Sequence, residues 1–442
     1  MKRRNFIKSA ALTSAGFMIL PACATSGKGP GSKLNIALIG AYGRGRSFWE
    51  ILKNENVVAL CDVNADNMAL AAKEFPNAKK YIDWRKCLEQ KDIEAVIVAT
   101  PDHHHAFITI WAMNRGYHVY CEKPVGECVH EAREVRKVYL KNKNKLVTQH
   151  GTQRHAIENF DRVAELIRDG AIGDLQVVQA FGSRTHNRTG YLPDKGPAPN
   201  TIDWEQWIGP VQMHPFNPSY FIGKPGANCL QWNMYHDFGS WQVGDMGSHT
   251  MDLAWNAIGA GIPTAVEATG DPYHNEVCPS DLHAVFTMPA NKWRGEIQLE
   301  WFQGTLKPKS PHGAIDISKI GHGVLFKGTK GSLLADFRSR MLIPEVQGAD
   351  MTYYNSPTKK EVAPPHGNFV QQWLNACKTG DLKTSCDFDY AGQMIETLML
   401  GLAAHRAGKK LEYDAKAGEV TNDSAVNDYL RKKYRDGWVL NG

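Results

Sequence analysis

Four short apolar runs punctuate the first third of the chain: Asn35–Ile39, Val57–Cys61, Glu94–Ala99 and His118–Cys121. Their lack of polar alternation marks strands buried on both faces. Between them the apolar positions fall at helical spacing, predicting helices from about Gly45, over Asn67–Phe75 and through Ile108–Arg115. Strands alternating with helices imply right-handed crossovers and a doubly wound parallel sheet. After Ile157 the pattern changes. A helix at Phe160–Asp169 closes on Gly170, and extended runs follow at Leu175–Phe181, His283–Met288 and Gly295–Trp301. These runs predict a large open mixed or antiparallel sheet, and the Gly- and Pro-rich stretch from Tyr191 to Pro225 predicts long loops. Late helical periodicity in Asn368–Cys377 and Tyr390–Ala407 predicts helices that pack back onto the body.

The first apolar run empties into Gly40-Ala41-Tyr42-Gly43-Arg44-Gly45. Gly40 can turn the backbone without a Cβ penalty, and Gly43 and Gly45 let main-chain N–H groups approach a pyrophosphate at the start of the next helix. The spacing Gly-x-x-Gly-x-Gly departs from the commonest dinucleotide fingerprint, so its context carries the argument. The second run ends in Asp62, 22 residues after Gly40, where a carboxylate binds the ribose hydroxyls of an adenosine and repels a 2′-phosphate. The fold class is therefore α/β: an N-terminal NAD-binding Rossmann domain over 33–154, followed by a C-terminal α+β domain over 155–442.

Composition narrows the class. With 442 residues, 43% hydrophobic and 22% charged, the chain is an ordinary globular one. A net charge of +5, spread over 51 basic and 46 acidic residues with no basic stripe, argues against a nucleic-acid partner. Residues 1–32 read as a processing segment rather than as structure. Lys2-Arg3-Arg4-Asn5-Phe6-Ile7-Lys8 resembles a twin-arginine export signal, and Leu20-Pro21-Ala22-Cys23 resembles a lipobox with Cys23 as the acylated residue; Ala24–Ser32 is a flexible tether. The expectation is a periplasmic lipoprotein that meets the membrane only through its N-terminal anchor. Twin-arginine export carries folded proteins, so an exported dehydrogenase should fold around its dinucleotide and keep it. The nine cysteines contain no Cys-x-x-Cys pair, and no metal site is expected.

Three constellations carry candidate chemistry. Thr100-Pro101-Asp102-His103-His104-His105 follows the third run at the carboxyl edge, where doubly wound sheets bind ligands. Adjacent histidines point in different directions, so cofactor packing, with Asp102 as a helix cap, is expected rather than a shared metal. Tyr120-Cys121-Glu122-Lys123-Pro124 follows the fourth run and offers a lysine to a substrate hydroxyl. In Gly244-Asp245-Met246-Gly247-Ser248-His249-Thr250-Met251-Asp252, residues 245, 249 and 252 share one face if helical, setting carboxylate, imidazole and carboxylate in a row for proton transfer. His186, Tyr191, Trp232 and His236 are candidate substrate contacts, with Trp204 and Tyr235 beside them, because aromatic faces suit pyranose rings, and Arg154 is a further candidate. Any single one of those aromatics can equally be core.

Together the glycine loop with Asp62, Thr100-Pro101 with His105, Glu122-Lys123-Pro124 and Asp245-x-x-x-His249 resemble the glucose-fructose oxidoreductase, inositol dehydrogenase and rhizopine-catabolism family, Gfo/Idh/MocA. Gln149-His150-Gly151-Thr152-Gln153-Arg154 and Asp203-Trp204-Glu205-Gln206-Trp207-Ile208-Gly209-Pro210 are similar to its exported, Trp-rich branch. The resemblance implies nicotinamide-dependent oxidation of a sugar or glycoside hydroxyl, with C3 expected. It also implies a C-terminal sheet that joins subunits into a homo-oligomer, dimer or tetramer. Tyr42, Arg44 and Glu122 would join the cofactor site, Lys123 would touch substrate and cofactor, and Asp245 and His249 would share the acid–base work, His249 as base. Some members of this fold are instead glycosidases that oxidise the sugar transiently. The blood-group N-acetylgalactosaminidase branch lacks the Glu-Lys-Pro triplet, and its presence here argues against that branch.

Overall fold

Six parallel strands, β1 (Asn35–Ile39), β2 (Asn56–Cys61), β3 (Lys79–Tyr81), β4 (Ala95–Val98), β5 (His118–Cys121) and β6 (Thr148–His150), pair in the order β3-β2-β1-β4-β5-β6. The order reverses between β1 and β4, which opens a crevice over their carboxyl ends. The computed structural model describes residues 29, 31–311, 313, 315–345 and 367–442. Cys23 and nearly all of the expected leader and tether lie outside them.

The second sheet has nine strands: β7 (Leu175–Gly182), β8 (Ala265–Gly270), β9 (Leu282–Met288), β10 (Ile297–Gln303), β11 (His322–Gly328), β12 (Gly331–Ala335), β13 (Arg340–Pro344), β14 (Leu411–Asp414) and β15 (Glu419–Val420). Their order is β13-β12-β11-β7-β10-β9-β8-β14-β15. The sheet is mixed: β7 runs parallel to β10 and antiparallel to β11. In β9 and β10 burial alternates along most of the strand, as one packed and one open face require. Helices Met246–Ile258 and Phe388–Ala407 cover the packed face.

The two cores merge. Phe369, Trp373 and Leu374, on the helix Phe369–Thr379, bury against Ile36, Leu38, Ile97 and Tyr120 of the parallel sheet. The late helices thus complete the first domain from the far end of the chain. No helix among the described residues is long and apolar enough to cross a membrane.

Between β7 and the helix Met246–Ile258, the segment 183–240 folds over the crevice. It carries its own small core, including Trp207, Tyr220, Trp232, Tyr235 and Phe238. It is fastened to the parallel-sheet domain beside Asp62: Asn64 and Ile202 form an antiparallel bridge, Asp203 N donates to Val63 O at 2.9 Å, and Ala65 N donates to Thr201 O at 2.7 Å.

Candidate active site

The glycine loop keeps the shape its sequence predicts. Gly40 has φ +82°, and a Cβ there would lie 2.4 Å from the Ala99 carbonyl oxygen; at Gly45 one would lie 1.9 Å from Gly40 O. Only glycine allows β1, the loop after β4 and the following turn to sit this close. Asp62 lines the same cleft and accepts from Asn64 N at 2.9 Å. Burial pushes its pKa up to about 6, against backbone N–H groups of Asn64, Tyr42 and Ala41 that hold it down.

A continuous cleft with about 1450 Å³ of atom-free space, open solvent at its mouth included, runs past Gly40, Tyr42, Gly43, Arg44, Asp62, Thr100, Pro101 and His105 to Glu122, Lys123 and Asp245. The buried Thr100 hydroxyl has no hydrogen-bond partner in the protein. A glycine cradle, a ribose-binding acid and an orphaned hydroxyl along one cleft fit a dinucleotide. Arg44 Nε donates to Glu122 Oε1 at 2.8 Å, joining the glycine loop to the loop after β5. His105 ties that loop to its neighbour, with Nδ1 at 2.7 Å from Pro124 O and Nε2 at 2.9 Å from Thr100 O. Burial lowers its pKa to about 4, so the neutral ring donates to one of the two carbonyls. The Lys123–Pro124 bond is cis.

At the inner end of the cleft Lys123 Nζ donates to Asp245 Oδ1 at 2.6 Å, and Arg184 Nη1 donates to Asp245 Oδ2 at 2.5 Å. Burial opposes ionisation of Asp245, but Lys123 and Arg184 outweigh it and hold the pKa at about 2. Burial likewise opposes the Lys123 ammonium, and Asp245 and Asp102 raise its pKa above 10.5. His249 is 5% exposed, and its Nδ1 has no hydrogen-bond partner. Burial, then the positive fields of Lys123 and Arg154, push its pKa well below 6.5. At neutral pH the cluster therefore holds an ammonium, a carboxylate and an unprotonated imidazole. Asp245 is committed to two cations, which leaves His249 as the group able to take a proton.

Several expected contacts lie elsewhere. Asp245 precedes the helix Met246–Ile258 with ψ −82°, and so is not on its face. Asp252 turns away from the cleft and accepts from His155 Nδ1 at 2.9 Å and Tyr390 Oη at 2.6 Å. The row of 245, 249 and 252 is therefore broken. Asp252, His155 and Cys386 instead form a buried cluster whose ligand-type atoms lie within 4.8 Å of one another. Asp102 makes no capping hydrogen bond; it is buried, and its pKa is raised by that burial and by Glu127. Of the histidine triplet, His103 and His104 both bond Trp207 O, at 2.8 and 2.9 Å, and clamp the covering segment.

Among the candidate substrate contacts only Trp232 lines the cleft. His186 Nε2 is spent on Cys278 O at 2.9 Å, His236 packs against Cys278 Sγ at 3.4 Å, and Tyr191 stacks on Tyr235 at 5.5 Å within the small core. Trp204 stacks on Trp207 at 4.8 Å. Arg154 is not among the lining residues, though its neighbour Gln153 is, and its guanidinium lies 4.0 Å from the Phe337 ring centroid. Sequence reasoning missed Arg184, Gln153, Trp207 and Cys229. Gln153 and Trp207 lie in segments that carry the family resemblance without a site role, and the Trp-rich stretch suggested sugar stacking rather than a cover; nothing signalled Arg184 or Cys229.

Residues 34–150 match the family described as "Oxidoreductase family, NAD-binding Rossmann fold", so this part of the chain is a Gfo/Idh/MocA NAD-binding domain. A "Glycosyl hydrolase family 109 protein" of Stenotrophomonas maltophilia is 30% identical over 255 residues, 53% of this chain and 50% of that protein. An inositol 2-dehydrogenase of Klebsiella pneumoniae is 33% identical over 145 residues, 32% of this chain and 42% of that protein. The chain thus spans about half the length, or less, of these curated relatives. A levoglucosan dehydrogenase solved with NADH and levoglucosan shares the fold, with a TM-score of 0.56 and 17% identity over 87% of this chain and 100% of that one.

Proposed function

We propose that the protein is an NAD-dependent oxidoreductase that oxidises a secondary hydroxyl of a sugar or glycoside, at C3, and retains its cofactor between turnovers. The observation that carries this reading is an unprotonated, unpartnered His249 beside a charged Lys123–Asp245 pair at the inner end of the dinucleotide cleft. Bound NAD supplies the hydride acceptor. His249 takes the hydroxyl proton, Lys123 offsets the negative charge that develops on the oxygen, and Asp245, fixed by Arg184, orients the lysine. Gly40, Gly43 and Gly45 receive the pyrophosphate, and Asp62 the adenosine ribose. The cover formed by 183–240 supports retention, because it is fastened to Val63–Ala65 and to the His103–His104 pair and its residues line one side of the cleft.

A second reading, a glycosidase that uses retained NAD for transient oxidation, gains support from the family 109 relative. One assay separates the two: incubate the purified protein with glycosides and analyse the products. Keto-sugar supports the oxidoreductase, released aglycone without net oxidation supports the glycosidase, and neither product contradicts both. We also propose export through the twin-arginine route, anchoring through Cys23 and assembly through the nine-stranded sheet. Labelling with a fatty acid that disappears in Cys23→Ala and a solution mass above one subunit are the expected results.

A further inference from the structure

Four cationic side chains gather behind Asp245, the carboxylate at the inner end of the cleft, where they surround His322 and Arg154. Arg184 follows β7, Lys307 follows β10, Arg338 lies in the turn between β12 and β13, and Arg154 comes from the loop after β6. Lys307 lies over the Phe181 ring, whereas Phe337 is the ring that Arg154 shares with two histidines. The Arg154 guanidinium lies 4.0 Å from its centroid, His322 stacks on it at 4.6 Å and His249 meets it edge-on at 6.3 Å. Acid is scarce here. Asp245 is occupied by Lys123 and Arg184, and Asp336 accepts from the backbone N–H groups of Arg338 and Ser339 at 2.7 Å. Among the described residues Arg154 has a stacking partner and no carboxylate partner. Burial disfavours its charge; the field of Asp245, itself bonded to Lys123 and Arg184, favours it, and the fields of Arg184 and Arg338 oppose it.

A partly buried guanidinium without a counter-ion costs free energy unless a ligand supplies one. Arg154 and His249 share contact with a single phenyl ring, a spacing that suits an anion carried on the same sugar as the hydroxyl that His249 serves. We propose that the substrate is an anionic sugar or glycoside whose carboxylate or sulfate ester is received by Arg154, with Arg184 and Arg338 adding to the field. This rests on the reading of the cleft as a sugar site. It identifies Arg154 as the residue that selects the substrate class.

Calorimetric titration of the purified holoprotein tests it with matched methyl glycosides, in both anomers: neutral glucoside, glucuronide, and glucoside sulfated at the primary hydroxyl. The tighter-binding of the two charged sugars tells carboxylate from sulfate. Either should bind on the order of 10- to 100-fold more tightly than the neutral sugar, as charge-assisted hydrogen bonds imply, and the advantage should shrink with salt. Arg154→Gln should abolish the advantage and Arg154→Lys restore part of it. Equal affinity for charged and neutral sugars, or an equal loss for both in Arg154→Gln, would overturn the proposal. The near-ultraviolet absorbance of reduced nicotinamide, followed in the same samples, keeps the two readings apart. Anion-selective binding without cofactor reduction would uphold the anion site and sink the oxidoreductase. Equal reduction by neutral and charged sugars would do the reverse.

Discussion

The floor and the cover of the cleft are built on different principles. The floor consists of short loops at the carboxyl ends of β1, β2, β4 and β5, each a few residues from a strand whose place in the sheet is fixed. The cover is a long excursion, 183–240, held by its own aromatic core and by a few backbone hydrogen bonds to the floor. On the proposed reading, chemistry resides in the floor and at the start of the helix Met246–Ile258, and retention in the cover. If so, substitutions in the two regions should fail in different ways.

The largest effect should come from the chemical groups. Lys123→Ala and His249→Ala should each lower kcat/KM by roughly 10²- to 10⁴-fold, the range for a lost general base or charge stabiliser. The circular dichroism spectrum and the bound nicotinamide should remain. Near-normal rates in both would remove the assignment. Asp252→Asn should act oppositely. Burial disfavours a charged His155, but Asp252 outweighs it and raises the pKa well above 6.5. The pair therefore stabilises fully below pH 6.5 and loses that contribution only as pH rises through the raised value. Breaking it should cost about 3–5 kcal/mol in denaturant unfolding, with turnover per folded molecule little changed.

A cover substitution should divide differently again. Trp207→Ala empties a site only 5% exposed and should release nicotinamide on the order of 10-fold faster in dialysis, about 1.4 kcal/mol, while single-turnover chemistry persists. The smallest effect is the pH profile. Because the pKa of His249 lies below 6.5 and that of Lys123 above 10.5, kcat/KM should be level from pH 6.5 upward through neutrality. It should fall only on the acid side, as the imidazole gains a proton. A profile still rising above pH 6.5 would mean that another group supplies the base.

The same division explains what could be read from sequence. Gly40, Asp62, Thr100, Glu122 and Lys123 were legible because each follows an apolar run directly, and a parallel sheet fixes where such residues emerge. Asp245 and His249 were singled out by the family resemblance of Asp245-x-x-x-His249, whereas the helical spacing misled, because Asp245 stands before the helix rather than on it. Asp252 failed because spacing gives a face but not its direction, and here that face turns towards His155 and Tyr390. Arg184 was invisible because its position depends on the register of β7 beside β11, which no local pattern states. His186, Tyr191 and His236 were misplaced for a related reason: in a long loop, an aromatic that packs a small core and one that lines a cleft look alike.

The central claim is that the cleft beginning at Gly40 holds a dinucleotide whose reactive ring faces Lys123 and His249. The most direct test is a single turnover on protein carrying only the cofactor it was purified with, mixed rapidly with a glycoside it binds. The account predicts a burst of reduced nicotinamide equal to the bound cofactor, abolished in His249→Ala while the nicotinamide recovered after denaturation stays the same. Purified protein without nicotinamide, or an undiminished burst in that variant, would contradict it.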